Sequence, residues 1–138
     1  MTNNYDLSRF LTAQNRIAYG GQTEYECAYA EMEEGCKRSH WIWYIFPQQK
    51  GLGRSYNSEY YGLNGTEEAR AYLEHPVLGQ RLRDISRLLL KHKDTLSIRQ
   101  IMGSGIDVKK LHTSMRLFGS VLLGDVFHEV LEAFFRER

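Results

Sequence analysis

Residues 41–46 read WIWYIF, and the conformation of this segment decides the fold class of the chain. Every side chain in it is apolar or aromatic, so the segment shows neither the period of a strand nor that of a helix. Its aromatic content favours a strand, but a strand without a pairing partner is unstable, and the sequence offers no second convincing strand. Ser39 as a cap and Pro47 as a stop favour a short, fully buried helix instead. We therefore predict a helix here and an all-α fold.

Helical signals run through the rest of the chain. Thr23 and Glu26 have the spacing of a capping box, and Gly35 is the expected stop of that helix. The apolar stripe over residues 78–89 is the clearest amphipathic pattern. Further helices are predicted over residues 7–18 and 66–75, after a cap at Asp107 and after a cap at Asp125, with a short helical turn over 97–102.

Length and composition indicate one ordinary globular domain. The chain has 138 residues, of which 42% are hydrophobic and 25% are charged. We therefore predict a single domain over residues 1–138, a compact bundle of about seven helices. A formal net charge of +1 excludes a highly charged disordered tail and gives no whole-chain case for binding nucleic acid. Aromatic residues reach 12% of the chain, including nine tyrosines.

Targeting and redox signals are mostly negative. The first residues are polar and are not followed by an apolar stretch, and the longest apolar run is residues 41–46. Cys27 and Cys36 form neither a disulfide framework nor a metal-binding pattern. His128–Glu129 begins like a zinc-protease motif but lacks the second histidine. We expect a cytoplasmic protein with reduced thiols, no metal, no cofactor and no membrane association.

The total charge is close to zero, but acidic and basic residues are unevenly distributed along the chain. No Asp or Glu occurs between Lys37 and Arg54, whereas residues 24–34 are rich in glutamate. This basic window also contains His40, Trp41 and Trp43. Cations and aromatic faces together suit a ligand that carries both a phosphate and a base. The competing interpretation places the aromatic residues in the core, with the cations at its fringe.

A second candidate region spans residues 101–118. Asp107 is the expected cap of a helix whose first turn carries Lys109 and Lys110, although the helix dipole favours acidic residues there. Basic side chains beside free backbone N–H groups would form an anion site. Thr113 shares a helical face with Lys109, and Ser114 lies four residues after Lys110, a spacing that could activate a nucleophile. The alternative is a solvated basic face.

His40 is the candidate general acid or base. It lies between a polar loop and an apolar run, where a histidine is either a hydrogen-bonded structural group or a titrating catalyst. The sequence leaves both interpretations open.

Several motifs occur together in one order along the chain. They are YDLSRFLTAQ at residues 5–14, KRSHWIWYIFPQ at 37–48, GLGRS at 51–55, HPVLGQRL at 75–82 and the stretch from Ile101 to Phe118. With them the chain resembles the domain of unknown function 1810 family. The resemblance implies a compact all-helical fold near the α-horseshoe class, in a mostly bacterial and cytosolic family. It implies no established reaction. Some members carry a calpastatin label, but nothing in this chain resembles a disordered protease-inhibitor repeat. Thr113–Ser114 stands where the family pattern most often reads Ser-Ser.

These observations favour a helical domain with a pocket for a small, anionic, nucleotide-like molecule. The sequence leaves open whether the protein is an enzyme. If it is one, we expect hydrolysis or group transfer on the ligand. The candidate catalytic residues are His40, Lys109 and Ser114. The candidate ligand-binding residues are Lys37, Arg38, Ser39, Trp41, Trp43, Gly53, Arg54, Ser55, Asp107, Thr113 and Arg116. The alternative is a non-enzymatic protein-protein interaction module with a flat, exposed aromatic patch. Nucleic-acid binding through the row Arg81, Arg83, Arg87 and Lys91 is disfavoured, because this row is typical of a solvated helix face.

Overall fold

Nine α-helices form the regular structure of the computed structural model over the residues that it describes, 5–18 and 20–137. They are α1 (Ser8–Asn15), α2 (Glu24–Glu34), α3 (Ile42–Ile45), α4 (Tyr56–Tyr60), α5 (Gly65–Glu74), α6 (Leu78–Lys91), α7 (Ile98–Met102), α8 (Gly105–Val121) and α9 (Val126–Phe135). Over these described residues there is no β-strand, and extended pairing is limited to two isolated bridges. The all-α prediction is confirmed, with nine helices against about seven expected.

Most of the predicted helix boundaries are confirmed. Thr23 and Glu26 form the expected capping box at the start of α2, and Gly35 ends that helix in the left-handed conformation that favours glycine. Asp125 caps α9, as predicted. The helix α4 was not predicted, and Ser55 begins it by accepting a hydrogen bond from the backbone N–H of Ser58 at 3.1 Å.

The predicted cap of α8 is wrong. Ser104 caps this helix, because its Oγ accepts a hydrogen bond from the backbone N–H of Asp107 at 3.1 Å. The helix therefore begins at Gly105, three residues earlier than a cap at Asp107 would allow. As a consequence, Lys109 and Lys110 lie in the second turn and not beside the free N–H groups of the first.

The segment that decides the fold class forms the short buried helix α3. Ile42, Tyr44 and Ile45 are buried in it, which confirms the choice of helix over strand. The predicted cap is wrong, because the cap position is Trp41, whose side chain makes no capping bond. Ser39 instead donates a hydrogen bond from its Oγ to the carboxylate of Glu31 at 2.6 Å.

Aromatic rings join the helices in the core. Phe10 of α1 meets the ring of Tyr72 of α5 edge-on at 5.1 Å, and Tyr72 contacts Phe118 of α8 at 5.5 Å. Phe118 in turn contacts Phe127 of α9 at 5.6 Å, and none of the four side chains has any exposed surface. Helix α8 packs against α3, α5, α7 and α9, while α6 packs against α2, α5 and α9. The short helix α3 itself packs against α1 and α8.

No helix in the described part of the chain is both long enough and apolar enough to cross a membrane. The thiols of Cys27 and Cys36 are both free, the first buried and the second exposed. Among residues 5–18 and 20–137, no group of three His, Cys, Asp or Glu side chains is placed to hold a metal ion.

A buried carboxylate, that of Glu31 in α2, organises the segment that leads into α3. It accepts hydrogen bonds from the backbone N–H groups of Arg38 and Ser39 at 2.7 and 3.0 Å. It also accepts hydrogen bonds from Ser39 Oγ and from Trp41 Nε1 at 2.6 and 3.0 Å. Burial alone would raise the pKa of Glu31, but these hydrogen bonds outweigh it and hold the pKa below its usual value. The charged carboxylate therefore fixes the path of residues 38–41.

A buried ion pair holds the same segment from the other side. Lys37 Nζ lies 2.9 Å from Asp107 Oδ2 of α8, and the two side chains are only 5% and 19% exposed. The ammonium group also donates to the carbonyl oxygen of Ser39 and lies 4.9 Å from the ring centre of Trp41. The predicted ligand-binding residues Lys37 and Asp107 are thus paired with each other.

We expect Glu31→Gln to lower the free energy of unfolding by about 2–3 kcal/mol near neutral pH, because a neutral amide cannot accept all four hydrogen bonds. The native pKa lies below the unfolded one, so this stabilisation is full above the ordinary carboxyl value of 4.5 and is lost as the pH falls through the native pKa. Urea unfolding at about pH 7 and about pH 3 should therefore show a difference between the two proteins that shrinks in acid.

The exposed Glu33 on the same helix provides the control, and Glu33→Gln should change stability by less than about 0.5 kcal/mol. A loss for Glu31→Gln of equal size at both pH values would contradict the role of the charge.

We expect Asp107→Asn and Lys37→Met each to lower the free energy of unfolding by about 3 kcal/mol, because each leaves a buried partner uncompensated. The double variant should lose clearly less than the sum of the two. The exposed pair of Arg38 with Glu34, at 2.8 Å, is the matched control and should show a coupling below about 0.5 kcal/mol. Additive losses at the buried pair would refute the coupling.

Candidate functional site

Two neighbouring cavities open beside α3 and α4. The first, here called the lysine cavity, has a volume of about 290 Å³ and lies between the loop before α4 and helix α8. The second, here called the tyrosine cavity, has a volume of about 390 Å³ and lies between α1, α3 and α4. Both volumes are close to the lower end of the range of roughly 300–1,000 Å³ typical of small-molecule sites.

The lysine cavity takes its cations from the second turn of α8. Lys109 and Lys110 line it, and Lys110 Nζ lies 4.9 Å from the ring centre of Trp43. Thr113, one turn further along, donates from its Oγ1 to the carbonyl oxygen of Lys110 at 3.0 Å and accepts a hydrogen bond from Gln48 Nε2. These bonds join α8 to the loop after α3 and fix the polar wall of the cavity.

A close approach of loop and helix forms the opposite wall of the lysine cavity. A Cβ atom on Gly53 would lie 2.5 Å from Ser58 Oγ and 2.9 Å from Ser58 Cβ, so a larger residue would displace Ser58. Ser55 caps α4 just after this point. The predicted site residues Gly53 and Ser55 therefore position the wall, and Gly53 itself lines the cavity.

The tyrosine cavity combines an exposed pair of aromatic rings with cations. The rings of Tyr56 and Tyr60 are stacked with their centres 5.5 Å apart and their planes 11° apart. Tyr56 is 75% exposed and Tyr60 is 45% exposed. Arg16 and the exposed His40 line the same cavity. An open aromatic face with a guanidinium beside it suits a flat, electron-rich ring with a negative group.

The tyrosine cavity also presents a phenol that stays protonated. Burial raises the pKa of Tyr44 to about 12, so its hydroxyl is neutral at physiological pH. Arg16 Nη2 lies 3.5 Å from this hydroxyl. The arrangement can donate hydrogen bonds to an anion but cannot act as a base near neutral pH.

Neither cavity is lined by a carboxylate in the described part of the chain. In that part, Arg16, Lys109 and Lys110 also have no Asp or Glu oxygen within the 4.0 Å of an ion pair. A larger cavity between α6 and α9, of about 490 Å³, has the opposite character, because Asp94, Glu129 and Glu132 line it. In the part of the chain that the structure describes, both linings therefore hold cations and no carboxylate, although Arg9 of the tyrosine cavity is paired with Glu68 at 3.1 Å.

Five of the residues predicted from the sequence line these cavities. Gly53, Lys109 and Thr113 line the lysine cavity, and His40 and Trp43 line the tyrosine cavity. Their roles toward a ligand stay predictions. Trp43 connects the two cavities, because it lines the tyrosine cavity and its ring contacts Lys110 of the lysine cavity.

The three predicted catalytic residues do not converge. His40 and Lys109 line different cavities, and Ser114 is fully buried without lining either of them. Among the described residues, Ser114 Oγ has no hydrogen-bond partner. His40, Lys109 and Ser114 therefore do not form a nucleophile and a base in one cavity.

The other predicted residues lie outside the two cavities. Trp41 is fully buried in the core, so its ring is covered by protein, and Ser39 is engaged by Glu31. Arg38 pairs with Glu34 on the surface, and Arg116 lies 3.7 Å from Glu137. Arg54 is exposed in the loop before α4. Lys37 and Asp107 form the buried ion pair described above.

Sequence reasoning missed several residues of the tyrosine cavity, chiefly Arg16, Tyr56 and Tyr60. A signal was present in the nine tyrosines of the chain and in the four-residue spacing of Tyr56 and Tyr60, which places both on one helix face. Nothing in the sequence connects Arg16 of the segment after α1 with α4, because their contact is tertiary.

Comparisons with known proteins agree with the motifs. A family model described as "Protein of unknown function (DUF1810)" matches residues 4–138. The crystal structure of the conserved hypothetical protein Rv1873 from Mycobacterium tuberculosis has a similar fold, with a TM-score of 0.86 and 36% sequence identity, and the match covers 97% of this chain and 90% of that one. No curated protein matches the chain. Since the family match spans almost every residue, the chain belongs to the DUF1810 family.

Proposed function

We propose that the lysine cavity binds a small, anionic, nucleotide-like molecule. The observation that carries the proposal is the pair Lys109 and Lys110, which line a cavity without carboxylates in the described part of the chain; Lys110 Nζ also lies 4.9 Å from the ring centre of Trp43. Ammonium groups bind phosphate oxygens through charge-assisted hydrogen bonds, and aromatic faces stack on nucleobases.

Apolar side chains at the cavity give the proposal a second support. Leu52 is 59% exposed and Ile106 is 68% exposed, although both line the cavity. A flat ring that covered them would remove apolar surface from water, which is favourable. The phosphate would then lie toward the two lysines.

The concave shape favours a small ligand over the alternative of a protein-interaction module. A flat aromatic patch would support that alternative. Here the exposed Tyr56 and Tyr60 line a cavity together with Arg16. A reaction on the ligand is not part of the proposal, because His40, Lys109 and Ser114 are separated from one another.

We expect adenosine monophosphate to bind and to shift the indole N–H resonance of Trp43 in a proton–nitrogen correlation spectrum. The chain has two tryptophans, and the indole N–H of Trp41 is bonded to Glu31 in the core. Its resonance should stay in place and serves as the internal control. Trp43→Phe assigns the two signals.

Replacing both Lys109 and Lys110 by Ala should weaken this binding by about tenfold or more, because charge-assisted hydrogen bonds to phosphate are lost. The matched control is Lys91→Ala with Lys93→Ala, which removes the same charge from the end of α6 and should leave affinity unchanged. Unchanged affinity in the Lys109 and Lys110 variant, or no shift of the Trp43 signal at millimolar nucleotide, would refute the proposal.

A further inference from the structure

The two cavities have one wall in common. Trp43 and Asn57 line the tyrosine cavity, and Gln48 and Ser58 line the lysine cavity. All four residues also line a gap of about 10 Å³, which thus lies between the cavities. A ligand that filled both cavities would therefore pass these side chains.

The chemistry of the two cavities is duplicated. Each one has an uncharged surface beside cations. In the lysine cavity, the apolar Leu52 and Ile106 lie with Lys109 and Lys110, and in the tyrosine cavity the stacked Tyr56 and Tyr60 lie with Arg16. Neither lining contains a carboxylate in the described part of the chain. Each cavity therefore suits one ring system with one negative group, and each is small for a complete ligand site.

The common wall carries hydrogen-bond donors, one of which is unsatisfied. Trp43 Nε1 is buried and has no hydrogen-bond partner among the described residues. A buried donor without a partner is rare in native proteins, and a bound acceptor would satisfy it. Asn57, which is half-buried on the same wall, adds an amide. The gap has room for about one water molecule, so a phosphate that links two nucleosides would approach this donor from the tyrosine cavity, which Trp43 also lines.

From these observations we propose that the ligand is a dinucleotide, two nucleosides joined through phosphate, with one nucleoside in each cavity and the linker along Trp43. The inference rests on the proposed function of the lysine cavity and extends it to the tyrosine cavity. Because binding of one half raises the effective concentration of the other, the dinucleotide should bind far more tightly than a mononucleotide.

The test compares adenosine monophosphate with diadenosine diphosphate, triphosphate and tetraphosphate by calorimetry on the whole chain. We expect one member of the series to bind with one molecule per chain and about a hundredfold more tightly than the monophosphate. The dinucleoside monophosphate joined 3′ to 5′ forms a separate arm. If it binds most tightly, the source of the ligand is an RNA fragment, and otherwise it is a free polyphosphate-linked dinucleotide.

Variants of the tyrosine cavity separate this inference from the proposed function. Tyr56→Ala and Arg16→Gln should each lower the affinity for the dinucleotide by at least about fivefold, since each removes one contact to the second nucleoside. The Trp43 shift caused by the monophosphate should persist in both. Arg70→Gln removes an exposed charge elsewhere and should bind the dinucleotide like the parent protein.

Two outcomes overturn the inference. If every dinucleotide binds no more tightly than the monophosphate, or if Tyr56→Ala and Arg16→Gln leave its affinity unchanged, the ligand does not span both cavities, and the proposed function of the lysine cavity stands. If neither kind of nucleotide binds, the proposed function fails as well.

Discussion

The buried carboxylate of Glu31 is the interaction on which the geometry of both cavities depends. A buried carboxylate is costly unless its lone pairs are satisfied, and here four hydrogen bonds from Arg38, Ser39 and Trp41 satisfy them. Because these bonds hold Trp41 in the core, helix α3 begins in one orientation. Trp43 follows two residues later within α3, where it packs at the edge of the core and lines the tyrosine cavity. The position of the indole between the cavities is thus a consequence of the carboxylate in α2.

Ion pairing in the fold neutralises part of the basic window at residues 37–54. Lys37 is neutralised by Asp107, which comes from α8, and Arg38 is neutralised by Glu34, which comes from the acidic stretch just before it. Much of the local excess of positive charge is therefore paired with acidic side chains within the fold. The cations without an ion pair at the cavities, such as Arg16 and Lys109, come from separate elements, and folding brings them to one side of the molecule.

The helical fold was predictable because its signals are local. Apolar stripes, the capping box at Thr23 and the glycine stop at Gly35 each act within a few residues. Two kinds of error have tertiary causes. Helix α4 buries none of its five residues, so it has no apolar period to detect. Asp107 was expected to cap α8, but Ser104 caps it, and the carboxylate of Asp107 pairs with Lys37 from a distant part of the chain.

The candidate site was only partly predictable, because its residues meet through packing. The sequence identifies Lys109, His40 and Trp43, but it cannot show that the first two face different cavities. It also cannot show that the N–H of Trp43 is left without a partner, although the neighbouring Trp41 is satisfied by Glu31. Among the described residues, Ser114 Oγ is also buried without a partner, but it lines neither cavity. Trp43 lines the tyrosine cavity, so its indole N–H is the unpartnered group that lies where the two cavities meet, and only the folded arrangement shows this.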